Sequence, residues 1–420
     1  MKIPRGRFSR HVASTLAASV GFQGISLLAT AILVRALGPA DKGLLDLSLL
    51  VPQMLALLLG AGVGAANGYF AGSRRFTIAQ LSANSTAMVL VATVAGAAVL
   101  AAGVASGAAG RFVPGVPAPL IFLAAIALPF LLASTYLNAL LQGLQRIPSV
   151  NLVTLGQSLI YLLLTVLLVQ ILDLGLNGAL VGFVATSVAS FALSSWLLRA
   201  EQGTARPRWS REVAGATLRY GMKAHAGSIV QFLNYRLDVF LVNAFLGSAQ
   251  VGIYGISARL AETLWYLPNA VAFVIFPKAA AGARDLRTFT PKVFWITLGA
   301  TALAGIGLLV VGRPLIVMAF SRDFAGAYPA LVGLLPGAVL LGGAKVLSND
   351  IAGRGFPHYN AINAVAGLLF TVVLDVVLIP RYGIVGAALA SSVAYAVVFA
   401  GTVVMYLKVR GSRGVDVIDR

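Results

Sequence analysis

Residues 384–407 read IVGAALASSVAYAVVFAGTVVMYL, which is 24 residues without a charged side chain. A helix of about 20 apolar residues is long enough to cross the hydrocarbon core of a bilayer. Comparable stretches recur along the whole chain of 420 residues, which is 59% hydrophobic and 10% charged. Because soluble domains carry about a quarter charged residues, this composition predicts an all-α polytopic membrane protein.

Charged segments and glycine- or proline-rich breaks separate the apolar stretches and divide the chain into about twelve transmembrane helices. The first stretch follows a basic flank like that of a signal peptide. It reaches Val34, however, which is too long for a signal peptide, so we interpret it as a span. The predicted spans are residues 12–34, 44–69, 81–105, 118–141, 150–172, 178–198, 222–246, 252–277, 292–312, 329–352, 358–379 and 384–407.

The distribution of lysine and arginine predicts the orientation of the chain. With the N-terminus inside, 22 of these residues lie in segments predicted to face the cytoplasm, and only six lie outside. We therefore expect both termini in the cytoplasm of a bacterial cell and the chain in its inner membrane.

The chain has a net charge of +18 and few side chains that bind metals, and both features bear on its partners. We expect the basic loops to face anionic membrane lipid. We expect no nucleic-acid partner, because no basic run carries interleaved aromatics. The chain has no cysteine and three scattered histidines, so neither a disulfide nor a metal site is predicted.

Motifs of the first half of the chain recur in the second half. A single match would be weak, because turns favour glycine and proline in any protein. Three matches keep the same order at nearly one offset: residues 37–43 recur at 246–252, Pro148 and Asn151 recur as Pro357 and Asn360, and residues 175–179 recur at 383–387.

The repeat predicts two tandem bundles of six helices, residues 1–198 and 220–420, joined by a polar cytoplasmic linker, residues 199–219. Six is an even number, so both bundles enter the membrane from the same side and the repeat is parallel. Two such bundles around a central cavity are suited to alternating access.

Polar side chains in several predicted spans fall on one helical face, with the spacing i, i+3, i+4 and i+7. A polar stripe on an otherwise apolar helix is expected to face away from lipid. The predicted polar lining of the cavity comprises Gln231, Asn234, Tyr235, Asp238, Glu262, Thr263, Tyr266, Asn269, Gln53 and Asn67.

Three cations, Arg236, Arg259 and Lys345, lie within predicted spans, where each charge costs about 2.5–3.5 kcal/mol. We interpret them as a site for a pyrophosphate, because guanidinium groups bind phosphate oxygens with paired hydrogen bonds. Asp238 and Glu262 would limit the positive charge, and either could bind a coupling proton or sodium ion. No other cofactor is expected.

A local structural role is the alternative for these charges. Arg259 and Glu262 are spaced i, i+3 and could pair with each other. Lys345 and Asn349 are i, i+4 neighbours, and Asp375 near the end of its span is interpreted as structural.

The chain resembles the Wzx-type polysaccharide exporters, the oligosaccharidyl-lipid flippases of the multidrug/oligosaccharidyl-lipid/polysaccharide exporter superfamily. The motifs that carry the resemblance are residues 34–39 (VRALGP) followed by Gly43, residues 238–242 (DVFLV) leading into Gly247, residues 251–254 (VGIY), Pro277 and residues 379–388 (IPRYGIVGAA).

This resemblance implies a V-shaped cationic cavity, an undecaprenyl-diphosphate-linked oligosaccharide as cargo, and cation coupling. The family's diphosphate-binding role maps here onto Arg259, Arg236 and Lys345. The glycan polymerase and glycosyltransferases of the same pathway are candidate partners of a protein that we expect to be a monomer. Lipid II flippases usually have two further helices, so peptidoglycan precursor is not the expected cargo.

Three other functions are weighed against this one. A cation-coupled multidrug and toxin extruder is the main alternative, but cationic drugs favour acidic or aromatic cavities, and this one has three cations against two acids, Asp238 and Glu262. An enzyme would need larger outer loops, and the sequence contains no nucleophile triad or phosphate-binding glycine loop. A scaffold that organises glycan assembly is compatible with the same sequence.

Overall fold

The computed structural model describes residues 5–202, 208–280 and 286–410. These residues form α-helices joined by short turns and contain no β-strand, so the predicted all-α class is confirmed. The α-helices are α1 Arg5–Leu59, α2 Val63–Ser73, α3 Ile78–Ala105, α4 Ala108–Phe112, α5 Ala118–Ala125, α6 Leu128–Gly143, α7 Ile147–Thr165, α8 Gly175–Gln202, α9 Arg211–Leu246, α10 Ser248–Glu262, α11 Tyr266–Ala280, α12 Leu286–Ala319, α13 Ala327–Gly353, α14 Pro357–Tyr382 and α15 Ile384–Val409.

Two compact units make up the chain, Met1–Ile229 and Val230–Arg420. The boundary between them falls inside α9. Helices α8 and α9 extend into both ends of the predicted linker 199–219, and residues 203–207 lie outside the described part of the chain.

Ten helical segments of the described chain are long and apolar enough to cross a membrane. The prediction was about twelve, and two features of the helices account for the difference. The segment Gly21–Leu59 is counted once although its 39 residues would extend about 58 Å at 1.5 Å per residue, nearly two membrane thicknesses. The predicted span 252–277 is interrupted by a 3₁₀ turn, which leaves α10 and α11 each too short to be counted.

The division inside α1 falls at Gly38, whose φ of 70° and ψ of 178° are not helical. Gly247, its partner in the sequence repeat, has φ 83° and ψ 173°. Only glycine adopts this region readily. Pro148 and Pro357, another repeated pair, both lie in the first turn of a helix. The sequence repeat is therefore also a repeat of backbone conformation.

The break between α1 and α2 lies within an apolar stretch, and it is closed by hydrogen bonds to the freed carbonyls. Gly62 at the break has φ 67°. The Tyr136 hydroxyl donates to the Gly60 carbonyl at 3.0 Å, and His225 Nε2 lies 3.2 Å from the Leu58 carbonyl. A broken helix is stable in a membrane only if other groups satisfy its freed backbone in this way.

Helix α13 is the most buried span of the second unit. In its most apolar 18-residue window 67% of the residues are buried, compared with 22–44% for the other spans that lie wholly in that unit. It packs against α11, α12 and α15. A polar side chain on α13 therefore faces protein rather than lipid, which sets the environment of Lys345.

Candidate functional site

The second unit gathers polar side chains from five helices, four of which contribute charged groups. Arg236 and Asp238 come from α9, Glu262 from α10 and Lys345 from α13. Asp375 comes from α14, and α15 contributes hydroxyl groups. All of these residues lie in segments predicted to cross the membrane.

Arg236 of α9 forms an ion pair with Glu262 of α10. The guanidinium Nη1 lies 3.1 Å from the carboxylate Oε1. Both side chains are about one-third exposed, at 36% and 31%. The pair is therefore partly solvated, which leaves the guanidinium within reach of an anion that enters from solvent.

Lys345 is held by two aromatic rings. Its ammonium lies 4.9 Å from the ring centroid of Trp265 and 5.4 Å from that of Tyr235, and it donates to the Tyr235 hydroxyl at 3.2 Å. Cation–π contacts stabilise a desolvated ammonium without neutralising it. The indole N–H of Trp265 donates to the Ala338 carbonyl at 3.0 Å, which fixes that ring.

Asp238 is buried in a hydrogen-bonded network. The Tyr254 hydroxyl donates to its carboxylate at 2.5 Å, and the backbone N–H of Val239 donates at 2.8 Å. Ser391 of α15 lies next to the Tyr254 hydroxyl. Three helices, α9, α10 and α15, therefore converge on this carboxylate.

Asp375 is 0% exposed, and neither of its carboxylate oxygens has a hydrogen-bond partner among the described residues. Its charge lies within electrostatic range of Asp238. Two buried carboxylates in one another's field cannot both remain charged without a compensating cation or proton. This pair is thus a candidate site for either one.

Arg259 is exposed on α10, within electrostatic range of Tyr266. Glu262, the local partner weighed for it as an alternative, forms an ion pair with Arg236 of α9. The other predicted neighbour pair also differs, because the Asn349 side chain donates to the backbone carbonyl of Lys345 and leaves the ammonium to the aromatic rings.

The remaining polar residues predicted to line the cavity lie in several environments. The Asn234 amide donates to the Ala364 carbonyl at 2.9 Å, and the Thr263 hydroxyl donates to the Leu260 carbonyl at 2.6 Å. Asn67 is buried in the first unit, where its amide donates to Ser85 at 2.8 Å. Exposed side chains comprise Gln231, Tyr266, Asn269 and Gln53.

Sequence reasoning missed part of this cluster. Trp265 follows Glu262 by three residues and so lies on the same helical face, a signal that was available. Tyr254 and Ser391 could be found only from the structure, because their roles depend on contacts between helices. No group of three His, Cys, Asp or Glu in the described ranges is placed to hold a metal ion.

Residues 32–329 match the family described as "Polysaccharide biosynthesis protein". A relative from Haloferax volcanii, "Probable low-salt glycan biosynthesis flippase Agl15", is 24% identical over 189 residues. Those residues are 44% of this chain and 40% of that protein, so the match spans less than half of the relative's length.

Two solved structures share the fold. "Lipid II flippase MurJ, inward closed conformation" has a TM-score of 0.75 at 15% identity, covering 94% of this chain and 89% of that one. An inward-facing multidrug resistance MATE transporter of the MOP superfamily has a TM-score of 0.72 at 18% identity, covering 92% and 93%. Together with the family match, these likenesses confirm the resemblance predicted from the sequence.

Proposed function

We propose that this chain, which belongs to the polysaccharide biosynthesis protein family, flips undecaprenyl-diphosphate-linked oligosaccharide across the bacterial inner membrane. The observation that carries the proposal is the cationic cluster of the second unit. Lys345 lies on the most buried helix of that unit and has no carboxylate partner among the described residues, while Arg236 keeps a partly exposed guanidinium. Both are suited to bind a diphosphate.

The same cluster supplies hydrogen-bonding groups for the sugar part of the cargo. Tyr235 of α9 bonds to the Lys345 ammonium, and Tyr266 and Asn269 of α11 add exposed donors and acceptors. Alternating access would carry the bound diphosphate from one leaflet to the other. Both termini are proposed to be cytoplasmic and the functional unit a monomer, with anionic lipid, glycan polymerase and glycosyltransferases as its partners.

The coupling ion of this proposal, a proton or sodium ion, binds at Asp238 and Asp375. The two carboxylates, together with the Tyr254 and Ser391 hydroxyls, provide oxygen ligands of the kind that hard cations prefer. Occupation of the site would remove the electrostatic cost of two neighbouring buried charges, so the ion and the conformation of α9, α14 and α15 would be linked.

Reconstitution in liposomes tests the function directly. Fluorescent undecaprenyl-diphosphate oligosaccharide is placed in both leaflets, and translocation is followed by its accessibility to a membrane-impermeant quencher. Wild-type protein is expected to flip this lipid, and Arg259→Ala is expected to abolish flipping while the protein stays inserted and folded. A matched control, Arg313→Ala, removes a cation from α12 outside the cluster.

Three results would contradict the proposal. Wild-type flipping by Arg259→Ala would remove Arg259 from the substrate site. Efflux of cationic drugs without flipping would support the multidrug alternative. Glycan export in cells without any flipping by the purified protein would indicate a scaffold.

A further inference from the structure

A pocket lies in the first unit, which contributes no residue to the cationic cluster of the proposed transport site. It opens between α3, α6 and α8 and encloses about 370 Å³. Volumes of about 300–1,000 Å³ are typical of sites for small ligands. We propose that this pocket binds the headgroup and proximal acyl chain of one anionic glycerophospholipid.

The pocket has a polar end and an apolar end. Arg199 lies at the C-terminal end of the α8 span, and Ser195 lies one turn deeper. Phe191 follows a further turn along α8, and it contacts Phe130 of α6 with ring centroids 5.9 Å apart. The lining therefore changes from charged to hydroxyl to aromatic along one helix, as the chemistry of a phospholipid changes from phosphate to glycerol ester to hydrocarbon.

The cation at the mouth is available to a ligand. Arg199 is exposed and has neither an ion pair nor a hydrogen bond with any described residue. Its acidic neighbour Glu201 is already bound by Arg146, with the guanidinium Nε 2.7 Å from the carboxylate. An unpaired guanidinium at a membrane interface attracts one phosphate group and binds it with paired hydrogen bonds.

The hydroxyl groups that line the pocket can also donate hydrogen bonds to a ligand. Ser195 is half-buried and has no hydrogen-bond partner among the described residues. Ser85 on the facing helix accepts a bond from Asn67 at 2.8 Å and keeps its own proton to donate. These donors suit the ester carbonyls of a glycerolipid, which lie just below its phosphate.

The position of the pocket within the span fits the depth of such a lipid. Along α3 the lining runs from Ser82 to Leu90, eight residues, which is about 12 Å at 1.5 Å per residue. That depth accommodates a headgroup and the first part of one chain. A single cation matches a phosphodiester, whereas the proposed cargo carries a diphosphate and a much longer prenyl chain.

Native mass spectrometry of the full-length protein tests the proposal. The protein is exchanged into micelles that contain equal amounts of phosphatidylglycerol and phosphatidylethanolamine, with undecaprenyl phosphate in a parallel sample. Wild-type protein is expected to retain one phosphatidylglycerol, and Arg199→Gln is expected to retain it about tenfold less. Ser195→Leu, which removes the hydroxyl and fills the pocket, should lose it as well.

The control is Arg219→Gln, which removes an exposed cation from α9 of the same unit without touching the pocket. It should retain phosphatidylglycerol like wild type. Equal retention by wild type and Arg199→Gln would overturn the proposal, as would equal retention of both phospholipids or a preference for undecaprenyl phosphate. Flipping activity does not enter this measurement, so its result is independent of the proposed function.

Discussion

The guanidinium of Arg236 reaches across from α9 to the carboxylate of Glu262 on α10, with 3.1 Å between Nη1 and Oε1. The pair joins two consecutive helices of the second unit at the level of the cationic cluster. The pair can contribute to the stability of the fold, and its arginine can bind the diphosphate of the substrate.

The first prediction separates these consequences with a double-mutant cycle. Because both side chains are about one-third exposed, the coupling between Arg236→Ala and Glu262→Ala in thermal unfolding should be under about 1 kcal/mol. Binding of a fluorescent diphosphate lipid in nanodiscs should fall about tenfold in Arg236→Ala and should not fall in Glu262→Ala. An equal loss of binding in both variants would show that the pair is only structural.

The second prediction concerns the ammonium between two rings. Lys345→Met keeps the length of the side chain and removes its charge, so it should weaken diphosphate-lipid binding by about tenfold, which is about 1.4 kcal/mol. The melting temperature should change little, because exposed to half-buried cation–π contacts contribute about 0.5–2 kcal/mol. Lys408→Met, at the end of α15, is the control, and its binding should match that of wild type.

The third prediction concerns Asp375, whose buried carboxylate has no hydrogen-bond partner among the described residues. Asp375→Asn removes a charge and preserves the shape, so the melting temperature in sodium-free buffer should stay the same or rise. An unsatisfied buried polar group costs about 1–3 kcal/mol, and more when charged. Transport driven by a sodium or proton gradient should be lost.

Binding of an ion at Asp238 and Asp375 can be measured through the melting temperature. If sodium binds the native state, adding it should raise the melting temperature of the wild type but not of Asp375→Asn. The control is Asp323→Asn, which changes an exposed carboxylate. Sodium should raise its melting temperature as much as that of the wild type. A variant that keeps its ion response would place the coupling site elsewhere.

The fourth prediction tests the close approach of two backbones in the first unit. A Cβ at Gly221 would lie 2.5 Å from the Ala61 carbonyl oxygen, which is too close for any side chain. Gly221→Ala should therefore lower the melting temperature and weaken insertion, with a cost of about 1–3 kcal/mol typical of overpacking. Gly215→Ala on the same helix has open space and should be neutral or stabilising by up to about 1 kcal/mol. A similar response to both substitutions would contradict the contact.

The helical architecture could be predicted because the bilayer imposes it on the sequence. Apolar stretches of sufficient length must be helical when no water satisfies the backbone, and each predicted span has a helical counterpart. The breaks were harder to predict. Gly62 interrupts a stretch that remains apolar, so hydropathy gives no signal there. The 3₁₀ turn at Thr263–Trp265 divides a predicted span into two helices that are each too short to be recognised as a span.

The candidate site could be predicted only in its composition. Charges within spans marked Arg236, Asp238, Glu262 and Lys345, because each is costly in lipid. Their partners depend on which helices pack together. Sequence spacing offers Glu262 a local partner in Arg259, whereas the tertiary contact joins Glu262 to Arg236. The same limit applies to Asp375, because its position near the end of a predicted span favours a structural role from sequence alone.

The shared torsion angles of Gly38 and Gly247 put the same backbone turn at equivalent positions of the two halves of the chain. The offset of 209 aligns the three intramembrane cations of the later copy with uncharged residues of the earlier one, namely Leu27, Leu50 and Tyr136. At these three positions the two halves share a backbone frame but differ in chemistry, because only the later half carries a cation there.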